Sequence, residues 1–248
     1  MSARVVVIGG PTAAGKSALA LEVALQLDGE IVCADSRQVY AGLPIATAAP
    51  TAEERARVPH HGYGVLDPAG APMSAGRFVD MTDQLVADVV ARDKVAVLVG
   101  GTGLYLRAWR FGLDAPRRPD EPARDMAAFL RRPPRPQARD ARYLLVDATL
   151  DLLEPRLRER AARMFERGIV EEALALRARL PPEHALLQTI GTAEALVLAD
   201  GALSLDEAVA RTALRSRQYA RRQRTWFKKE PWWSAPERVG LPDEHNPR

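Results

Sequence analysis

Cysteine is almost missing from this chain: Cys33 is the only one in 248 residues. A lone thiol cannot build a disulfide framework or a thiolate zinc site. Cys33 sits inside an apolar stretch, where a buried, inert thiol is expected. Histidine is scarce as well, with four in the chain. The adjacent pair His60-His61 has no third ligand at metal-site spacing. It reads either as a pair of substrate contacts or as a turn with a packed imidazole. No apolar run approaches the roughly 20 residues that span a bilayer, so no membrane association is expected. Met1-Ser-Ala-Arg4 leads directly into an apolar strand, so no signal peptide is expected and the compartment reads as cytoplasmic.

Acidic residues are also unevenly placed. The run 211–229 holds eight basic residues and no acidic one. The run 117–142 holds eight arginines against four acids. The net charge of +3 is modest, but two such concentrations point to a polyanionic partner, or else to plain solvated surface. The second missing acid concerns the apolar stretch Val95-Ala-Val-Leu-Val99. It runs into Gly100-Gly-Thr-Gly103, with no aspartate at its end to hold a metal as nucleotide hydrolases do.

What is present is a phosphate cradle. Gly10, Pro11, Thr12, Ala13, Ala14, Gly15, Lys16 and Ser17 satisfy G-x-x-x-x-G-K-[ST] directly after the β-branched strand Val5 to Ile8. Such a loop turns its backbone N–H groups toward phosphate oxygens, and the following helix directs its positive end at the same point. Lys16 adds a cation, and the Ser17 hydroxyl suits Mg²⁺. The fold class is therefore α/β: a P-loop-type, doubly wound parallel sheet with flanking helices. Strands are expected near 4–9, 30–34, 95–99 and 143–148. Helices are expected near 15–27, 73–91, 103–110, 121–131, 151–179 (broken at Gly168), 192–199 and 204–229. One domain over 1–248 accommodates them, with a small helical insert at about 116–142 and a long, proline-rich loop at 44–72 of the kind that is often functional.

Asp35 closes the second strand and is followed by Ser36, Arg37 and Gln38. At the carboxyl edge of an open sheet it can serve as a general base, hold metal through water, or simply cap a helix. On the last helix, Arg217, Arg221, Arg224 and Lys228 form one basic face. Ala213, Ala220 and Phe227 form a second stripe beside Tyr219 and Trp226, read as core packing.

Several stretches together resemble the tRNA dimethylallyltransferases (tRNA isopentenyltransferases). They are Gly10 to Ser17, Asp35-Ser-Arg-Gln-Val-Tyr-Ala-Gly-Leu43 with Ile45-Ala-Thr47, Pro59-His-His61, Gly100-Gly-Thr-Gly-Leu-Tyr-Leu106 and Arg217-Gln-Tyr-Ala-Arg-Arg-Gln-Arg-Thr-Trp-Phe227. The resemblance implies transfer of a dimethylallyl group from dimethylallyl diphosphate to N6 of adenine 37 in tRNA, with diphosphate as the leaving group and Mg²⁺ as cofactor. It implies Asp35 as general base, Thr102 as a contact to the adenine region and Arg217 as an arginine near the diphosphate. It further implies that Ser36, Arg37, Gln38 and Arg124, with Asp35 and Thr102, meet the anticodon stem-loop. A monomer is expected. Two features depart from the family: the insert is short and lacks a Gln-Arg-x-x-Arg stretch, and Ile190-Gly-Thr-Ala-Glu194 lacks the usual aromatic. The alternatives are an enzyme that prenylates free AMP, ADP or ATP, and an ATP-binding P-loop kinase or switch.

Overall fold

The computed structural model describes residues 4–112, 139–233 and 238–239. The expected insert helix at 121–131 and Arg124 lie outside the described residues. Six strands form one parallel sheet: β1 (Val5–Gly9), β2 (Gly29–Cys33), β3 (His60–His61), β4 (Val95–Gly100), β5 (Arg142–Val146) and β6 (Arg238–Val239), in the order β3-β2-β4-β1-β5-β6. Every pairing between neighbours is parallel. The four expected strands appear within two residues of their predicted ends. β3 and β6, each two residues long, carry no apolar alternation by which a sequence reading finds strands.

The helices are α1 (Lys16–Gln26), α2 (Pro44–Thr47), α3 (Ala52–Arg57), α4 (Ala75–Ala91), α5 (Gly103–Phe111), α6 (Leu150–Glu166), α7 (Ile169–Arg177), α8 (Thr192–Ala199) and α9 (Leu205–Lys229), with a 3₁₀ turn at Pro231–Trp233. β1 lies between β4 and β5 and is buried along its whole length. That explains its unbroken Val-Val-Val-Ile run, since both faces of a central parallel strand must be apolar. One face packs Val6 and Ile8 against α1, α6 and α7 through Leu21, Leu153, Leu157 and Leu176. The other packs Val5 and Val7 with Phe78 of α4, Trp109 of α5 and Trp233. Burying each such side chain contributes about 1.5–3 kcal/mol.

Helix starts follow their capping residues. Ser74, Thr149 and Ser204 each accept a backbone N–H from the third residue beyond, and Ser204–Glu207 closes the anticipated capping box. The 44–72 stretch is not an open loop. It carries α2, α3 and β3, and Glu172 of α7 pins it by accepting N–H bonds from Ile45 and Ala46 at 2.7 and 2.9 Å. The C-terminal ends of β1, β2, β4 and β5 converge on one edge of the sheet, with α6 and α9 packed along each other beside it. Among the described residues, no helix is long and apolar enough to cross a membrane.

Candidate active site

A cleft of about 470 Å³ opens at that edge. Its floor is the phosphate loop between β1 and α1. Gly10 has φ +148°, and a Cβ there would overlap the Val146 carbonyl of β5. The first glycine of the motif is thus required by the approach of a neighbouring strand end as well as by its dihedral. Lys16 Nζ donates to Pro11 O at 2.6 Å. Loss of water lowers the Lys16 pKa to about 8, with Asp35 opposing the shift and Arg160 adding to it. Arg160, from α6, donates to Thr12 Oγ1 at 2.8 Å. Its own pKa is lowered by burial, partly offset by attraction to Asp35. Two desolvated cations and one carboxylate therefore share the cleft, an arrangement suited to an anion bearing more than one charge.

Asp35 follows β2 and lines the cleft with Ser36, Arg37 and Gln38. Its Oδ1 accepts the N–H groups of Arg37 at 2.8 Å and Gln38 at 3.3 Å. No helix starts here, so Asp35 is not a helix cap: residues 36–39 form a turn that fixes the side chain while Asp35 remains in the wall of the cleft. Gln38 Nε2 donates to Thr47 O and Ala48 O, each at 3.0 Å, tying this turn to the α2 segment that lines the opposite rim. Thr102 Oγ1 accepts the Ser36 N–H at 3.1 Å. The threonine thus holds the Asp35 turn against the end of β4. A Cβ on Gly100 would overlap the Ala34 carbonyl, and one on Gly103 would overlap the Trp226 indole. The glycines of Gly100-Gly-Thr-Gly103 are consequences of these close approaches.

Ser17 lines the same cleft as Asp35. A hydroxyl and a carboxylate are hard oxygen donors suited to Mg²⁺. Among the described residues, no group of three His, Cys, Asp or Glu could hold a metal alone. An ion here would draw its remaining ligands from water and from a bound phosphate ester, which is how Mg²⁺ is commonly held.

Arg160, Arg215, Tyr219 and Gln223 are among the cleft residues that carry no site signal of their own in the sequence. Arg215 is held at the wall by Glu194 at 2.5 Å and by Gln188 O at 3.0 Å. Tyr219, read as core packing, faces the cleft, and burial pushes its phenol well up. Gln223 is buried and bridges the phosphate loop to Gly101. The only sequence signal for Tyr219 and Gln223 is their position inside Arg217 to Phe227.

Two arginines of the basic face of α9 have partners outside this cleft. Arg217, expected near the diphosphate, is not among the residues lining this cleft. It faces a separate groove between α6 and α9, where its Nε lies 3.1 Å from Glu154. Arg224 is committed to Asp147 after β5, at 2.8 and 3.3 Å, and is only 18 % exposed. The helix turns these side chains away from the face that carries Tyr219 and Gln223. The histidine pair is structural: His61 Nε2 lies 2.6 Å from Glu30, which also takes Arg92, and the hydrogen bond from Arg92 is the leading reason the Glu30 pKa falls. His60 Nδ1 contacts Val58 O at 2.7 Å.

Comparison with known proteins agrees with this geometry. A family model described as IPP transferase matches residues 38–132 and 121–230. A tRNA dimethylallyltransferase of Anaeromyxobacter sp. (strain Fw109-5) is 41% identical over 94% of this chain and 95% of its own length. Another, from Thermus thermophilus, is 38% identical over 91% and 89%. The crystal structure of the full-length tRNA isopentenylpyrophosphate transferase from Bacillus halodurans superimposes with a TM-score of 0.80 at 28% identity, covering 96% of this chain and 89% of that one. The phosphate loop, the Asp35 turn and Gly100-Gly101 thus meet in one cleft, with Thr102 bonded behind the turn, in a chain that belongs to the IPP transferase family.

Proposed function

We propose that this protein transfers a dimethylallyl group from dimethylallyl diphosphate to N6 of adenine 37 in a tRNA anticodon loop. The observation that carries this reading is the meeting of Lys16, Arg160 and Asp35 in one cleft above the phosphate loop. The relatives' names supply the donor class and the acceptor. Lys16 and Arg160 bind the diphosphate and neutralise the charge that grows on it as the allylic C–O bond breaks. Mg²⁺ at Ser17, when bound, supplies further neutralisation of that leaving group. The N6 nitrogen forms the new bond to the allylic carbon, and its proton passes to the Asp35 carboxylate. The bond electrons leave with the diphosphate, so no hydrolysis is needed.

The adenine must leave its stack to reach Asp35, so the nucleotide is flipped into the cleft. Arg37, Ser36 and the arginines at the rim, Arg215 and Arg222, suit the backbone of the loop around it. Thr102 acts by fixing the Asp35 turn. We further infer a monomeric enzyme working in the cytoplasm, where tRNA and the donor meet.

Incubation with dimethylallyl diphosphate and either unmodified tRNA or AMP tests the acceptor. Prenylated tRNA with inert AMP is expected; efficient AMP prenylation with inert tRNA would overturn the tRNA reading. Asp35→Ala is expected to lower kcat by at least about 10²-fold while leaving tRNA binding largely intact, as loss of a general base does. Unchanged turnover would remove Asp35 from the chemistry.

A further inference from the structure

We propose that Gln223 is a positioning residue that couples occupancy of the phosphate loop to the placement of Asp35. It is 6 % exposed, on the cleft-facing side of α9. Its Oε1 accepts the Thr12 N–H at 2.8 Å, and its Nε2 donates to Gly101 O at 2.9 Å. One amide side chain thus satisfies a donor of the phosphate loop and an acceptor of the β4–α5 turn together, which an ionised carboxylate, an acceptor only, cannot do. The connection continues in both directions. Arg160 donates to the Thr12 hydroxyl, while Thr102, next to Gly101, accepts the Ser36 N–H beside Asp35. An unbroken path therefore runs Arg160–Thr12–Gln223–Gly101–Thr102–Ser36–Asp35.

Gly101 fits this role: a Cβ there would overlap Gln223 Nε2. The Thr12 N–H is engaged by Gln223. The loop's remaining amides and Lys16 are left to hold the anion, and Gln223 sets how far the loop stands from the Asp35 turn. A displacement near 1 Å between reacting groups costs about 10²-fold in rate, so a link of this kind acts on turnover more than on donor binding.

The kinetic part of this inference rests on the proposed function; the structural part does not. Amide hydrogen exchange with and without inorganic diphosphate and Mg²⁺ reads the coupling directly. In the wild type, diphosphate is expected to protect the phosphate loop together with residues 34–38 and 100–103. In Gln223→Leu the loop protection persists and the remote protection is lost. Gln223→Glu, which keeps the acceptor for Thr12 and removes the donor to Gly101, is expected to lose the remote protection too. In steady state, Gln223→Leu should lower kcat by about 10²-fold with the KM for dimethylallyl diphosphate little changed.

Remote protection that survives in both variants overturns the proposal. So does equal loss of loop and remote protection, or failure of both variants to fold, since Gln223 would then be a structural prop. Wild-type coupling that the variants lose, in a protein that prenylates no adenine acceptor, would sink the functional reading and leave the coupling standing.

Discussion

Both faces of α9 carry arginines, and those arginines meet different fates. On one face Arg217 pairs with Glu154 and Arg224 with Asp147. On the other, Arg215, Tyr219, Arg222 and Gln223 enter the wall of the cleft. Periodicity groups Arg217, Arg221, Arg224 and Lys228 correctly, because residues at i, i+4, i+7 and i+11 share a helix face. It cannot say which face looks at the site. That depends on the rotation of α9 about its axis, fixed by Ala213, Ala220 and Phe227, which are buried as the apolar stripe required.

The sharpest way to break this comparison is to remove one arginine of each kind. Arg160→Ala takes a charged donor from the cleft and should weaken diphosphate binding by about tenfold or more, the worth of a charge-assisted hydrogen bond. Arg217→Ala should leave it nearly unchanged, because a partly exposed ion pair contributes little. Titration calorimetry with inorganic diphosphate decides, and the reverse ranking would restore Arg217 to the site.

The cleft cations should also betray themselves through pH. With the Lys16 pKa lowered to about 8, the ammonium is lost from the free enzyme as pH rises through that value. Diphosphate affinity should then fall, by at most about tenfold per pH unit for one proton. The linkage to folding has the opposite sense. The unfolded lysine keeps its proton to a higher pH than the folded one, so this group's unfavourable burial is fully felt below pH 8. It is relieved as pH rises toward the unfolded value. A Lys16→Met protein should lose the binding step near pH 8; a step that persists belongs to another group.

The smallest effects lie on the solvent side. Arg224→Ala strands Asp147 and should lower Tm by a few degrees, equivalent to about 1–2 kcal/mol. Arg221→Gln touches no ion pair among the described residues and should leave Tm alone. If that face meets tRNA, it should reduce the salt slope of binding by about one. Identical salt slopes in the wild type and Arg221→Gln would exclude this face from the tRNA surface.

The motif residues show how much was legible in sequence. The phosphate loop was readable because its glycines and Lys16 act through the backbone of a local strand–loop–helix unit. The motif tyrosines were recognisable by pattern but not by role. Tyr40 OH accepts the Met73 N–H at 2.8 Å, and Tyr105 OH donates to Met73 O at 3.1 Å. Both clasp one residue far from either motif in sequence. Glu172, which pins α2, was invisible for the same reason: it lies 127 residues from Ile45.

By itself, the sequence determined the four main strands, helices α1 and α4 to α9 and the phosphate-loop motif, because apolar periodicity, capping residues and glycine conformation are local properties of the chain. Only the tertiary structure decided that Arg160 rather than Arg217 stands over that cradle, that Tyr219 faces the cleft, and that Gln223 joins the phosphate loop to the turn bearing Thr102. These pairings depend on the packing of α6 and α9 against the sheet edge. Such packing is set by the summed burial of many side chains, and no single stretch of sequence records it.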